Sequence, residues 1–311
     1  MESSLRIRNF ALLVLLAAIW GGSFLFIKVA VLAIPPLSVV AGRVLLGGLA
    51  LSLLLVLAGQ RLPRERRVWL DFLVIAAIGN VVPFFLIAWG ELVIDSALAA
   101  ILMGSMPFGA ILLSHLLTED EKLSGPKLLG VLLGLSGIVV LVGPEALQGL
   151  GRGLWSQLAI VAAGCGYALS SIYAKRRGLT RQPPTVTGCG VLIASSILVL
   201  PLALAHDRPW SLDPGAEALL ALLGLGLLST GLAYVILFKL LASAGVTFVS
   251  LNNYLVPVFG LLWGALILGE AIPADSLAAL ALILLGIGLT QWPLRGPLPR
   301  ARTSSPRKAA E

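Results

Sequence analysis

Two cations lie within apolar stretches of this chain, where a charged side chain needs a specific role. Arg43 stands in VAGRVLLGGLAL, and Lys28 ends LAAIWGGSFLFIK. A charge at the centre of a membrane costs about 2.5 to 3.5 kcal/mol on insertion scales. With Glu91 and Asp95, which follow a later apolar stretch, these cations could form a charged cluster that binds a carboxylate or an amine, or that closes a gate. Alternatively, both cations extend to the membrane interface and the acids are paired or solvated.

A second group of candidate residues is polar or aromatic and lies near the middle of the apolar stretches. Rings could cover the apolar part of a small amphipathic solute, while amides and hydroxyls replace its lost water. The alternative is packing, because Ser and Thr often join membrane helices. The candidate substrate-binding residues are Trp20, Ser23, Asn80, Ser105, Tyr167, Ser170, Thr230, Tyr234, Asn252 and Asn253.

The elements that carry these residues are hydrophobic segments, each near the roughly 20 residues that a helix needs to cross a bilayer. Hydrophobic residues make up 58% of the chain, charged residues 12%, and the mean hydropathy is +1.00. Ordinary soluble proteins are roughly 45 to 50% apolar and about 25% charged. We therefore predict an all-α integral membrane protein with ten transmembrane helices, at about 10–33, 37–58, 69–90, 97–117, 125–143, 154–174, 186–205, 217–241, 246–268 and 276–293.

Basic residues are distributed asymmetrically about these segments. Of the 22 Lys and Arg residues, Arg152 and Arg208 lie in connections on one side, Lys28 and Arg43 lie within segments, and the others lie on the opposite side. Basic loops stay in the cytoplasm during insertion. This predicts a multi-pass protein of the cell (plasma or inner) membrane with both termini in the cytoplasm. Residues 294–311 are expected to form a basic, disordered cytoplasmic tail.

The order of segments indicates a duplicated five-helix unit, at 10–143 and 154–293. Pro107 and Pro257 occupy matching positions in the two units, as do Asn80 and Thr230. Because each unit has an odd number of segments, the second enters the bilayer from the opposite face. Two inverted repeats of this kind are expected of secondary transporters. Both prolines remove an intrahelical hydrogen bond and are candidate helix bends.

Each unit also carries a Glu in the short turn after the segment that holds the matched proline. Glu121 and Glu270 pair in this way. A carboxylate at a turn could cap a helix, form a local salt bridge or make a gating contact. Capping is favoured because a carboxylate satisfies free amides at a helix start.

Several stretches together resemble the drug/metabolite transporter superfamily, EamA type, over about residues 10 to 292. The resemblance implies two EamA domains, an α-helical transporter with both termini in the cytoplasm, and often export of amino acids or other metabolites. The second half departs from the first, since only Gly190 or Val191 lies near the position that matches Arg43. The stretches are LAAIWGGSFLFIK, VAGRVLLGGLAL, SALAAILMGSMP, TEDEKLSGPKLLGVLLGLSGIVVLVG and NNYLVPVFGLLWGALILGE.

Other functional classes find less support in the sequence. The chain has no G-x-x-x-x-G-K-[ST] phosphate loop, which argues against ATP coupling, and no HExxH or GxSxG motif of an enzyme. We predict no catalytic residue, metal site or cofactor, and Cys165 and Cys189 do not indicate a disulfide scaffold. The expected partners are a small-molecule solute and the lipid bilayer, without nucleic acid, and a monomer is compatible with the sequence. A membrane receptor or scaffold, or a membrane-embedded enzyme, is the alternative.

Overall fold

The computed structural model describes residues 2–118, 123–142 and 152–291, and within these ranges every regular element is a helix. The connection between the two predicted units, Glu121 and the predicted tail at 294–311 lie outside the described residues. We number the main helices α1 to α10. They are α1 Glu2–Val31, α2 Pro36–Leu57, α3 Arg66–Gly90, α4 Ser96–Leu117, α5 Gly125–Val142, α6 Arg152–Arg176, α7 Pro184–His206, α8 at 216–249, α9 Asn252–Leu268 and α10 Ala274–Thr290.

Seven of the described helices are long and apolar enough to cross a membrane, and three apolar helices are shorter. The shorter helices are Gly125–Leu141, Asn252–Leu268 and Ala274–Thr290. Prolines in the first turn start α2 and α7, where a missing N–H has no cost, and glycines with positive φ follow α2, α6 and α9. The chain is therefore an all-helical, multi-pass membrane protein over the residues described.

Three helices depart from regular α-helical geometry. Ala77–Val81 in α3 and Gly224–Leu232 in α8 are π-helical. α4 consists of Ser96–Met103 and Met106–Leu117, and α8 contains one non-helical residue, Gly245, with φ 81°. π-helical turns are rare and often lie at functional sites. α3 and α8 are therefore the helices most expected to contribute to a functional site.

The helix contacts come in related pairs. α1 packs on α9 and α8, while α6 packs on α4 and α3. α2 packs on α8, and α7 packs on α3. The contacts between α2 and α7, α4 and α9, and α5 and α10 each join helices of the same rank in the two predicted units.

Glycines allow some of these helices to approach closely. A Cβ atom added at Gly130 of α5 would lie 2.6 Å from the carbonyl oxygen of Gly286 on α10, and one at Gly21 of α1 would lie 2.7 Å from Cβ of Phe259 on α9. Small residues let helix backbones approach in this way. The glycines therefore serve packing within the chain.

Candidate functional site

Arg43 lies in a buried cluster of side chains from helices of both predicted units. Its side chain is 7% exposed, and its Nε–H donates to Thr230 Oγ1 on α8 at 3.1 Å. Its guanidinium lies over the ring of Phe84 on α3, with Cζ 3.8 Å from the ring centroid. The other guanidinium N–H groups have no hydrogen-bond partner among the described residues. They form a planar fork of donors that matches the geometry of a carboxylate.

Two tyrosines extend the aromatic surface around Arg43. Tyr167 on α6 and Tyr234 on α8 lie near the guanidinium. Tyr167 packs edge-on against Phe84, with ring centroids 6.3 Å apart, and Tyr234 packs edge-on against Phe238 at 5.6 Å. A cation beside several rings can bind a solute that joins an acidic group to an apolar body.

Two side-chain hydrogen bonds join helices of the two predicted units. Arg43 on α2 reaches Thr230 on α8, and Asn80 Nδ2 on α3 donates to Ser195 Oγ on α7 at 3.1 Å. Asn80 and Thr230 lie within the two π-helical segments, and Thr230 also donates to the carbonyl oxygen of Leu225 at 3.0 Å. The irregular turns therefore carry the polar groups that connect neighbouring helices across the units.

Lys28 and Glu91 meet at the end of α3. The Lys28 ammonium on α1 donates to the backbone carbonyl oxygens of Glu91 at 2.9 Å and Ile94 at 2.8 Å. A cation is favourable there because the helix dipole is negative at its C-terminus. The Glu91 side chain is 0% exposed, and neither carboxylate oxygen has a hydrogen-bond partner among the described residues. Asp95, the fourth residue of the predicted charged cluster, is exposed.

Two carboxylates from the C-terminal half of the chain cap helices of the N-terminal half. Glu270, between α9 and α10, accepts hydrogen bonds from Ser96 N at 2.9 Å, Ser96 Oγ at 3.0 Å and Ala97 N at 2.9 Å. Asp207, after α7, accepts from N and Oγ of Ser38, both at 2.9 Å. These bonds satisfy free amides at the starts of α4 and α2. Capping by Glu270 is thereby confirmed, although the capped helix is distant in sequence.

The other candidate binding residues have more local contacts. Trp20 Nε1 donates to the Ser229 carbonyl oxygen at 3.2 Å and so joins α1 to α8. Asn252 is 3% exposed, its Oδ1 has no partner among the described residues, and Asn253 beside it is half-buried. Three hydroxyls donate to carbonyl oxygens three residues earlier in the chain, namely those of Ser23, Ser105 and Ser170.

The two matched prolines have different positions in their helices. Pro107 follows the interruption of α4 at Gly104 and Ser105, whereas Pro257 lies inside α9. A Cβ atom at Gly104 would lie 3.0 Å from Pro257 Cγ. The interruption of α4 therefore packs directly against Pro257.

Phe84 lies against Arg43, and Ser195 accepts a hydrogen bond from Asn80, but the sequence indicates neither contact. Phe84 is one of 10 phenylalanines, and Ser195 lies in an apolar run with another Ser beside it. Their roles come from the helices that face them. The predicted repeat gave one indirect indication that these positions make contacts between helices, because it paired Asn80 with Thr230.

An apolar groove lies elsewhere on the molecule. It has a volume of about 460 Å³ between α2 and α7, and Leu49 and Ile197 on its lining are exposed. Its walls suit a hydrocarbon chain better than a polar solute. The groove is therefore separate from the Arg43 cluster in chemistry.

Comparison with known proteins decides the family. The model of the EamA-like transporter family matches this chain twice, over residues 9–143 and 154–292. The chain belongs to the EamA-like transporter family. The family description makes the chain a membrane transporter.

Individual relatives agree with this assignment. The chain is 30% identical to the "S-adenosylmethionine/S-adenosylhomocysteine transporter" of Chlamydia muridarum over 293 residues, covering 89% of this chain and 90% of the relative. It is 24% identical to the "Uncharacterized transporter YoaV" of Bacillus subtilis, covering 86% and 91%. A crystal structure with 23% identity aligns with a TM-score of 0.64 over 94% of this chain and 98% of that chain, which shows a shared fold.

Proposed function

We propose that this membrane transporter is a secondary transporter that exports a small metabolite, such as an amino acid or an amphipathic drug, by alternating access. The observation that carries the proposal is the Arg43 cluster, which draws side chains from α2, α3, α6 and α8. A site between the two units can be exposed first on one side and then on the other as the units rock. Export is the direction that the family resemblance implies.

Two inverted five-helix repeats are part of the proposal. Four observations support them: the double family match, the paired helix contacts, the π-helical segments in α3 and α8, and the bonds of Asn80 and Thr230 across the units. The three shorter helices complete ten spans, because 17 residues at about 1.5 Å each extend about 26 Å, near the hydrocarbon thickness of roughly 30 Å. The basic ends of the helices face the cytoplasm.

Arg43, Phe84, Tyr167, Thr230 and Tyr234 are the proposed binding residues. Thr230 and Phe84 hold the guanidinium, its remaining N–H groups bind an acidic group, and the rings cover an apolar body. The solute named for the chlamydial relative joins an amino-acid group to an aromatic base, so it falls within this class. Lys28, Glu91 and Glu270 lie at the outer end of this path, by the proposed orientation.

Counterflow in proteoliposomes tests the proposal. Purified protein of measured orientation is reconstituted and offered amino acids, nucleosides, S-adenosylmethionine and cationic drugs. We expect counterflow of at least one solute that carries both a carboxylate and an apolar group, such as an apolar amino acid or S-adenosylmethionine. Counterflow should be lost in Arg43→Gln and kept in Lys239→Gln, which removes an exposed cation of α8.

Two other results would contradict parts of this proposal. Folded protein that exchanges none of these solutes would favour a membrane receptor or scaffold. Counterflow that survives in Arg43→Gln would support transport and overturn the assigned site.

A further inference from the structure

The proposed solute site does not explain why Glu91 is buried. Its side chain is 0% exposed, and neither carboxylate oxygen is hydrogen-bonded within the described residues. The Lys28 ammonium donates to two backbone carbonyl oxygens, one of them that of Glu91, rather than to the carboxylate. A buried carboxylate without hydrogen bonds is costly in its charged form, and such groups bind a proton instead.

The charged groups around Glu91 come from several elements. Lys28 on α1 and Arg43 on α2 favour the ionised carboxylate, whereas Glu270 between α9 and α10 opposes it. α6 packs against the adjacent residue, Gly90, through the Ser156 backbone and the Ile160 side chain. Neither cation donates a hydrogen bond to the Glu91 carboxylate within the described residues, since the bonds of Lys28 go to backbone carbonyl oxygens and that of Arg43 goes to Thr230.

Glu270 connects this site to the closure of the outer face. Its carboxylate binds Ser96 and Ala97 at the start of α4 and so ties the α9–α10 connection to the first unit. A negative charge on Glu91 repels Glu270 and attracts Lys28. A neutral Glu91 lets the bonds between Glu270 and α4 form without that repulsion.

We propose that Glu91 is a proton-binding site, and that the protein takes up this proton from the outer side when the outer face closes. The inference rests on the two alternating conformations of the proposed function. Opening hydrates Glu91 and releases the proton, and closing buries the neutral carboxyl. By linkage, a fall in pH favours the closed outer face, by at most about tenfold in the closed-to-open ratio per pH unit for one proton.

The first measurement follows the proton itself. Infrared spectra of the wild type minus Glu91→Gln, recorded over a pH titration, should show the band of one protonated carboxyl that grows as the pH falls. Asp95→Asn, which changes an exposed acid at the next turn, should keep that band. A Glu91 signal that stays ionised at every pH at which the protein is folded would overturn the proton site.

The second measurement follows closure. Spin labels are attached to cysteines that replace Val93 and Leu277, which are 49% and 50% exposed. The protein used has Cys165 and Cys189 changed to Ala. We expect the short-distance population to grow as the pH falls, in the same range as the infrared band. Glu91→Gln should be closed at every pH, and Asp95→Asn should resemble the wild type.

The outcomes separate this inference from transport, because neither measurement needs a solute. The coupling would be overturned if Glu91→Gln kept the pH dependence of the wild type. It would also be overturned if the spin-label distances of the wild type did not change with pH while the infrared band of Glu91 did. Distances that are fixed at every pH and with every solute would contradict alternating access and the coupling together. The infrared titration would still decide whether Glu91 binds a proton.

Discussion

At the scale of single residues, the proposals rest on four charged side chains, Arg43, Lys28, Glu91 and Glu270, which are held in different ways. Arg43 is anchored by Thr230 and Phe84 but keeps donors for a ligand. Lys28 is satisfied by backbone carbonyl oxygens, and Glu270 by the start of α4. In the proposed account Arg43 therefore serves binding, whereas Lys28 and Glu270 satisfy the ends of helices.

Replacing Arg43 by Gln should weaken solute binding about 10- to 100-fold. Hydrogen bonds to a charged group contribute about 1.5 to 3 kcal/mol, and Gln lacks the charge and the planar fork. Arg43→Lys should recover only part of the affinity. Equilibrium binding to purified protein measures the effect, with Lys239→Gln as the control. Equal affinity of the wild type and Arg43→Gln would remove Arg43 from the binding site.

Sequence reasoning proposed Arg43 and Lys28 as functional candidates because charges in apolar segments require a cause. It could not identify Phe84, since any of several rings could face Arg43 until the helices are packed. It also grouped Asp95 with Glu91, because both follow α3. The structure separates them, since Glu91 caps the helix and is buried whereas Asp95 is exposed.

At the scale of elements, the helices combine close glycine contacts with irregular turns. α5 and α10 approach through Gly130 and Gly286, whereas α3 and α8 carry π-helical turns around Asn80 and Thr230. The first kind of contact fixes helices together. The π-helical turns place polar side chains between helices that move relative to each other in the proposed transport cycle.

Gly130→Ala should lower the thermal stability of the purified protein. Its Cβ would lie 2.6 Å from Gly286 O and 3.0 Å from Thr290 N, which are backbone atoms that cannot turn away. Overpacking of this kind costs about 1 to 3 kcal/mol. Gly288→Ala on α10 is the matched control, since its Cβ would meet no atom within 4 Å. A melting temperature for Gly130→Ala equal to that of Gly288→Ala would show that α5 and α10 are not tightly joined.

Hydropathy predicted where the helices lie but not where they are interrupted. Predicted segment 97–117 covers α4, although its break at Gly104 and Ser105 leaves the apolar pattern unchanged. Predicted segment 246–268 begins after Gly245, where the φ of 81° interrupts α8, while α9 itself begins at Asn252. Such breaks depend on tertiary contacts, such as that of Gly104 with Pro257.

At the scale of the whole molecule, the predicted orientation follows from the distribution of basic residues. The structure brings together segments assigned to the same side: Ser38 with Asp207, Ser96 with Glu270, and Thr185 with Gln60. These contacts agree with a chain that alternates between two sides.

Labelling of single cysteines in whole cells tests this orientation. Leu32→Cys, at an exposed position between α1 and α2, should react with an impermeant thiol reagent from outside. Arg64→Cys, exposed between α2 and α3, should react only after the cells are opened. The reverse pattern would invert the assigned topology.

Access to the Arg43 cluster from both sides is the central claim, and Tyr234→Cys in a chain without Cys165 and Cys189 tests it most directly. An impermeant thiol reagent is applied to sealed vesicles of each orientation. We predict that the introduced thiol reacts from the outer side and from the cytoplasmic side, because each conformation opens the same site to one side. Reaction from one side only, or from neither in folded protein, would contradict alternating access at this site.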